Sequence, residues 1–145
     1  MDEIPAKIVK ILSKNDTGEN GNHQSGILVP KKLEILSFFP SLNKVEYNPR
    51  VRLCFMDEAN KKWFFNFIYY NNKLFGGTRD EYRLTGLTPF FRENILSAGD
   101  KLILEKKKLG DFLIAYSRKE ETVSIDRVAS SVLRLGNAWA TISLK

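Results

Sequence analysis

YYNNKLFGGTRDEYRLT, from Tyr69 to Thr85, combines a strand-like run, a turn and a charged strand-like run. The aromatic start meets the asparagine pair Asn71-Asn72 and then a glycine pair, and both residue types are typical of turns. Charged and apolar residues then alternate up to Thr85, as they do in a strand with one buried face. The stretch therefore predicts two strands joined by a short polar connection.

Three charged residues of this stretch recur at a spacing of two: Arg79, Glu81 and Arg83. Successive side chains of a strand alternate between its faces, so these three should project from one face, and Asp80 and Tyr82 from the other. Arginine can donate to O6 and N7 of guanine, and glutamate can accept from N4 of cytosine, so this face could read a G·C-rich major groove. A solvated strand face with cross-strand ion pairs would use the same residues, and the spacing alone favours that simpler interpretation.

Length and composition predict a single folded domain over residues 1–145, since the chain is long enough to bury a core and 12% of it is aromatic. The net charge of +6 and the pI near 9.4 suit a polyanionic partner. The excess of Lys and Arg is concentrated between Lys61 and Arg92. A basic face near the opening stretch is expected.

The single cysteine, Cys54, excludes an internal disulfide and a cysteine metal cluster, and its apolar neighbours predict a buried thiol. The single histidine, His23, argues against a histidine metal site. We find no secretory signal, and no apolar run approaches the ~20 residues of a membrane span. The chain is expected to be cytoplasmic, in a bacterial or archaeal cell, with no membrane partner.

A polar loop, Asn15–Ser25, is predicted between two strand-like runs, Ala6–Ser13 and Gly26–Val29. Its side chains are donors and acceptors that could meet base edges or phosphates. These are Asn15, Asp16, Thr17, Asn20, Asn22, His23 and Gln24. A functional loop and an ordinary turn-rich loop fit this composition equally well.

The remaining patterns predict a mainly antiparallel β protein of seven or eight short strands with two or three short helices, closed into a barrel or sandwich. Strands are predicted at Val51–Phe55, Trp63–Tyr70, Lys101–Lys106, Phe112–Tyr116 and Trp139–Leu144. Helices are predicted at Pro30–Phe39, after Thr88-Pro89 and at Ser124–Leu135. In the first helix, the apolar stripe Leu33, Leu36 and Phe39 is expected to face the core.

Two segments, LSKNDTGENGNHQSGILVP (Leu12–Pro30) and YYNNKLFGGTRDEYRLT, together resemble the N-terminal effector-binding domain of EcoRII-type (type IIE) restriction endonucleases. The resemblance lies in NDTG, the GxHQxG-like run ending at Gly26, and YYN…FGxTRxExR. It implies the DNA-binding pseudobarrel shared with plant B-three transcription factors, an open seven-stranded β-barrel. Two arms, Asn15–Leu28 and Lys73–Arg83, would grip the major groove. The last 25 residues or so do not align and are expected to form a helix-strand extension.

The resemblance carries DNA contacts over to His23, Arg79, Glu81 and Arg83, and implies no catalytic residue and no metal. Together with the polar side chains of the loop, the resemblance predicts that both arms contact DNA. The first-arm set is Asn15, Asp16, Thr17, Asn20, Asn22, His23 and Gln24, and the second-arm set is Lys73, Thr78, Arg79, Asp80, Glu81, Tyr82 and Arg83. Three positions that contact DNA in the family differ here. Leu28 stands where the family has an aromatic residue, and Gly77 and Tyr82 stand where it has lysines. We expect a short G·C-rich duplex site and a flatter salt dependence, and the resemblance implies the family's site CC(A/T)GG.

The resemblance also implies that the chain is a module of a longer restriction enzyme, whose nuclease domain is its partner. No cofactor is expected for the module, and Mg²⁺ only for that nuclease domain. An alternative is a Mg²⁺-dependent nuclease built on Glu105-Lys106-Lys107. It lacks an obvious partner aspartate at a suitable distance, since Asp100 is only five residues before Glu105. Another is an RNA- or single-strand-binding barrel, in which Phe64, Tyr69, Tyr70 and Phe75 stack on bases, although most of these aromatics are more simply core.

Overall fold

The computed structural model describes residues 7–19, 21, 26–119, 131–135 and 138–143. Within these residues, nine strands form one sheet, accompanied by three short α-helices and one 3-10 helix. The strands are β1 Lys7–Ile11, β2 Ile27–Val29, β3 Arg50–Met56, β4 Lys62–Tyr70, β5 Glu81–Thr85, β6 Lys101–Lys106, β7 Phe112–Ser117, β8 Ser131–Leu135 and β9 Trp139–Ser143. The helices are α1 Lys14–Thr17, α2 Leu33–Leu36, the 3-10 helix Asn72–Phe75 and α3 Thr88–Glu93.

The strands lie in the order β2-β5-β4-β3-β7-β6-β1-β9-β8, and every pair is antiparallel except β3 with β7. The sheet curls until strands near its two ends meet. Trp139 of β9 donates its indole N–H to the carbonyl of Leu28 in β2 at 3.0 Å. A side chain thus joins the two sides of an open barrel.

Alternating residues of the strands fill the barrel, as their β-branched and aromatic content predicts. Phe55, Phe65 and Leu84 are fully buried between the two sides of the curl. Ile35 and Phe38, from α2 and the turn after it, pack into the same core. The opposite face of β2, β5, β4 and β3 is therefore the outer face of the barrel.

The expected mainly β pseudobarrel is confirmed, with nine strands in the described residues instead of seven or eight. The predicted helix Ser124–Leu135 is wrong over Ser131–Leu135, which is β8. Its helical spacing of apolar residues is overridden by antiparallel pairing with β9. Residues 124–130 lie outside the described residues.

Two burial predictions are wrong. Cys54 is exposed, because Leu53 and Phe55 take the inward positions of β3 and the residue between them must face out. Leu33 is 76% exposed, because α2 has only one turn and buries Ile35 instead. The predicted polar loop after β1 also contains a helical turn, α1.

Replacing Trp139 with Phe should weaken the closure of the barrel. The variant keeps most of the buried ring but leaves the Leu28 carbonyl without its indole partner, a loss of about 1–3 kcal/mol. Urea unfolding would measure it, with Cys54→Ser, an exposed outer-face change, expected to stay within about 0.5 kcal/mol of wild type. Equal midpoints for W139F and wild type would contradict a role for this bond.

Candidate nucleic-acid interface

Arg79, Glu81 and Arg83 lie together on the outer face of the barrel, as their spacing predicts. Glu81 and Arg83 belong to β5, whereas Arg79 precedes the strand. The backbone of Arg79 is fixed from both sides: its N–H donates to Asn72 Oδ1 at 2.7 Å, and its carbonyl accepts from Lys73 N–H at 3.0 Å. The 3-10 helix thus holds Arg79 beside the strand.

Glu81 bridges the two arginines, with Arg79 Nε 3.2 Å from Oε1 and Arg83 Nε 2.7 Å from Oε2. The guanidinium of Arg79 also lies over the ring of Tyr70, 3.7 Å from its centroid. The ion pairs run along one strand, not across strands as the simpler interpretation supposed. We call Arg79, Glu81 and Arg83 the charged triplet.

The charge state of Glu81 follows from competing effects. Burial favours the neutral carboxyl, but hydrogen bonds and positive charge from Arg83 and Arg79 outweigh it and hold the pKa of Glu81 below its ordinary value. Glu81 is therefore a carboxylate at neutral pH and keeps both arginines in place.

The end of the first arm lies directly against the charged triplet. Arg83 Nη1 donates to the carbonyl of Gly26 at 3.0 Å, and Leu28 pairs with Arg83 in the β2–β5 ladder. Gly26 has φ +80°, and a Cβ there would stand 2.1 Å from the carbonyl oxygen of Leu84. Only glycine allows this approach, so Gly26 joins the two predicted arms.

The root of the first arm is fixed by its own side chains. Asp16 accepts from Ser13 N–H and pairs with Lys10 Nζ at 2.8 Å, which leaves its side chain 10% exposed. Thr17 donates to the Ser13 carbonyl and to Glu19. Asp16 and Thr17 therefore stabilise the arm's base, a function that differs from their predicted contact role. Asn15 is exposed on α1, and Asn20, Asn22, His23 and Gln24 lie outside the described residues.

Asp80 and Tyr82 face away from the charged triplet, as the alternation predicts. Tyr82 is 7% exposed and stacks on Tyr69, with ring centroids 4.3 Å apart. Asp80 accepts from the Tyr69 hydroxyl at 2.6 Å and pairs with Lys31 at 2.6 Å. The bond to Asp80 raises the pKa of Tyr69 to about 12. The contact predicted for the Tyr82 side chain does not fit this geometry, because the ring fills the core. Asp80 is ion-paired but exposed, and its predicted contact stays a prediction.

The connection between β4 and β5 exposes Lys73, Thr78 and the ring of Phe75. Gly77 is closely packed: a Cβ there would lie 2.7 Å from Asn72 Cγ. Since Asn72 holds the Arg79 backbone, a side chain at position 77 would disturb the charged triplet. Sequence reasoning missed Asn72 and Gly26 as positioning residues, although turn-forming Asn and Gly beside a charged strand were a visible signal.

The carboxylates of the alternative nuclease site are already used for structure. Asp100 is buried and accepts from the N–H groups of Ser97 and Lys119, and Glu105 pairs with Lys7 at 3.9 Å. Within the described residues, no group of three or more His, Cys, Asp and Glu side chains could hold a metal ion. No helix in that part of the chain is long and apolar enough to cross a membrane.

The curled sheet with its outer charged triplet is the fold of a B3-like DNA-binding pseudobarrel. Among solved structures, the Arabidopsis FUS3–DNA complex matches with a TM-score of 0.58 and 19% identity, over 76% of this chain and 94% of that one. This likeness concerns the fold.

The sequence matches identify the family. The family described as "Restriction endonuclease EcoRII, N-terminal" matches residues 4–101. The type II restriction enzyme EcoRII of Escherichia coli is 37% identical in an alignment of 112 residues that covers 71% of this chain and 26% of that enzyme. A B3 domain-containing transcription repressor of Arabidopsis thaliana is 32% identical over 110 residues, 76% of this chain and 12% of the repressor. The chain belongs to the EcoRII N-terminal domain family, as the two quoted segments predicted, and spans about a quarter of the restriction enzyme.

Gly26→Ala should destabilise the domain more than Gly18→Ala, its matched control. Both glycines have φ +80°, but a Cβ at Gly18 meets nothing within 4 Å. Gly18→Ala should lower the free energy of unfolding by about 1–2 kcal/mol, because alanine is strained in the left-handed backbone conformation. Gly26→Ala must in addition displace the Leu84 carbonyl and so disturb the β2–β5 ladder. Equal losses in urea unfolding would show that the close approach is unimportant.

Glu81→Gln should lower the free energy of unfolding by about 1 kcal/mol at neutral pH, since both arginines lose their carboxylate. The folded-state pKa of Glu81 lies below its ordinary 4.5, so its stabilisation is present above that pH and is lost as the pH falls through the folded value. Unfolding of both proteins from pH 7 to pH 3 should therefore show their difference shrinking below about pH 4.5. A difference that does not depend on pH would refute the pairing.

Proposed function

We infer that this domain recognises a short G·C-rich site in double-stranded DNA and serves as the effector-binding domain of a restriction endonuclease. The observation that carries this is the charged triplet, displayed on the outer face directly beside the end of the first arm. The family and the DNA complex of the FUS3 neighbour support the same function.

The remaining donors of the arginines suit base recognition. In the described residues, the side chain of Arg79 uses only Nε in hydrogen bonds. Both of its Nη groups are therefore left to donate to guanine O6 and N7. Arg83 donates from Nε to Glu81 and from Nη1 to the Gly26 carbonyl, so only its Nη2 group is left for a base. Each Glu81 oxygen accepts one arginine bond and keeps a lone pair for a cytosine N4 donor. Arg79 is therefore the principal reader, and Arg83 the more constrained one.

The two-armed grip and the site CC(A/T)GG belong to this proposal. The first arm would supply His23 and its polar neighbours, and the second the charged triplet with Lys73 and Thr78. Leu28, Gly77 and Tyr82 replace larger or cationic family residues, so the preferred sequence can differ from the family's. We place the domain in the cytoplasm beside a nuclease domain of the same protein, and we assign Mg²⁺ to that domain only.

Arg79→Ala and Arg83→Ala should each lose about 1–3 kcal/mol of discrimination between a CC(A/T)GG duplex and a scrambled duplex of equal composition. The loss should be larger for Arg79→Ala, because Arg79 has both Nη groups left for a base whereas Arg83 retains only Nη2. Mobility-shift titrations at moderate salt would measure both affinities. Lys108→Ala, an exposed change at the turn between β6 and β7, is the control and should leave the ratio unchanged.

Equal affinity of the wild type for matched and scrambled duplexes would sink sequence-specific recognition. Preference for single-stranded competitor would favour the stacking alternative, for which Phe64 and Phe75 are exposed while Tyr69 packs against the core. Plasmid cleavage by this chain with Mg²⁺ would overturn the assignment of the nuclease to another domain.

A further inference from the structure

Two arginines that the charged triplet does not include lie on the same outer face. Arg50 and Arg52 are exposed on β3 and alternate with the inward residues Val51 and Leu53. Strand pairing aligns β3 with β5, the strand that carries Glu81 and Arg83. Arg50 pairs with Ile68 of β4, which pairs with Arg83. The outer face of three adjacent strands therefore carries one basic surface.

In the part of the chain that the structure describes, these two arginines have no carboxylate partner. Among the described residues, no Asp or Glu oxygen lies within 4.0 Å of either guanidinium, whereas Arg79 and Arg83 share Glu81. Arg50 Nε donates to the Asn48 carbonyl at 3.4 Å, and the Arg52 guanidinium lies 4.1 Å from the centroid of Phe64. Their positions are held, but their charges are not neutralised.

The burial of Ile68, which pairs with both Arg50 and Arg83, fits a surface formed by the aliphatic stems of these arginines. Ile68 is only 3% exposed although it faces outward and does not belong to the main core. This agrees with the aliphatic stems of the flanking arginines lying across it. The basic surface is thus continuous from β5 to β3.

The distance between β3 and β5 fits the distance between base edges and the DNA backbone. Neighbouring strands are about 4.8 Å apart, so β3 lies about 10 Å from β5. The major groove is about 12 Å wide and about 8.5 Å deep, so each bordering backbone lies about 10 Å from the base edges at its floor. When the charged triplet contacts base edges in the groove, Arg50 and Arg52 stand at the distance of the bordering backbone.

We propose that Arg50 and Arg52 form a second, sequence-independent binding site for the phosphates that flank the recognised bases. The proposal rests on the DNA-binding function above and separates two tasks on one face. The triplet, whose carboxylate repels phosphate, reads bases, and the two unneutralised arginines bind the backbone.

The test compares Arg50→Gln/Arg52→Gln with Lys107→Gln/Lys108→Gln, which removes the same charge at the exposed β6–β7 turn. Fluorescence anisotropy titrations of matched and scrambled duplexes would run at several salt concentrations. Losing two phosphate contacts should reduce the slope of log K against log salt by about 1.8, because each contact contributes about 0.9. Affinity should fall by the same factor for both duplexes, and Arg50→Lys/Arg52→Lys should retain most of the slope.

A slope change no larger than that of the lysine control would overturn the proposal. So would a selective loss on the matched duplex, because the arginines would then read bases. Failure of sequence recognition is a separate result: the wild type would bind both duplexes equally, while the slopes would still report on Arg50 and Arg52. Urea unfolding of each variant would verify that the fold is intact.

Discussion

The interface depends on the close approach of Gly26 to the backbone of β5. Because no side chain separates Gly26 from Leu84, the end of the first arm lies against the strand that carries the charged triplet. The same contact brings the Gly26 carbonyl to Arg83 and continues into β2, whose Leu28 carbonyl receives the indole of Trp139. One glycine therefore links the arms to each other and to the closure of the barrel.

In the proposed recognition of DNA, we assign to Glu81 the role of giving the neighbouring arginines their specificity. Two free arginines would bind any phosphate, since the duplex backbone is a dense line of negative charge. A carboxylate between them repels phosphate and lowers the gain from non-specific contact, while guanine and cytosine edges can satisfy all three side chains. In this proposal, the ion pairs that first suggested an ordinary solvated face also belong to a recognition surface, and they order its side chains before DNA binds.

The sequence correctly predicted those strands and side-chain orientations that local residue patterns determine. Alternation correctly located β3, β4 and the β6–β7 hairpin, and it placed Asp80 and Tyr82 opposite the charged triplet. It failed where distant pairing decides: Ser131–Leu135 has a helical apolar spacing but pairs with β9, and Cys54 faces out because its neighbours take the core. The carboxylate of Asp16 looked available for DNA, yet a helix cap and Lys10 use it, and no one-dimensional pattern contains the contact with Lys10.

Guanine N7 methylation interference on the matched duplex tests recognition through the major groove most directly. Methyl groups at N7 block the acceptor that an arginine fork needs, so we predict that binding is lost when guanines of the CC(A/T)GG site are methylated. Arg79→Ala should bind more weakly and should no longer respond at one of these guanines. Binding by the wild-type domain that ignores methylation at every guanine would contradict base reading by the charged triplet.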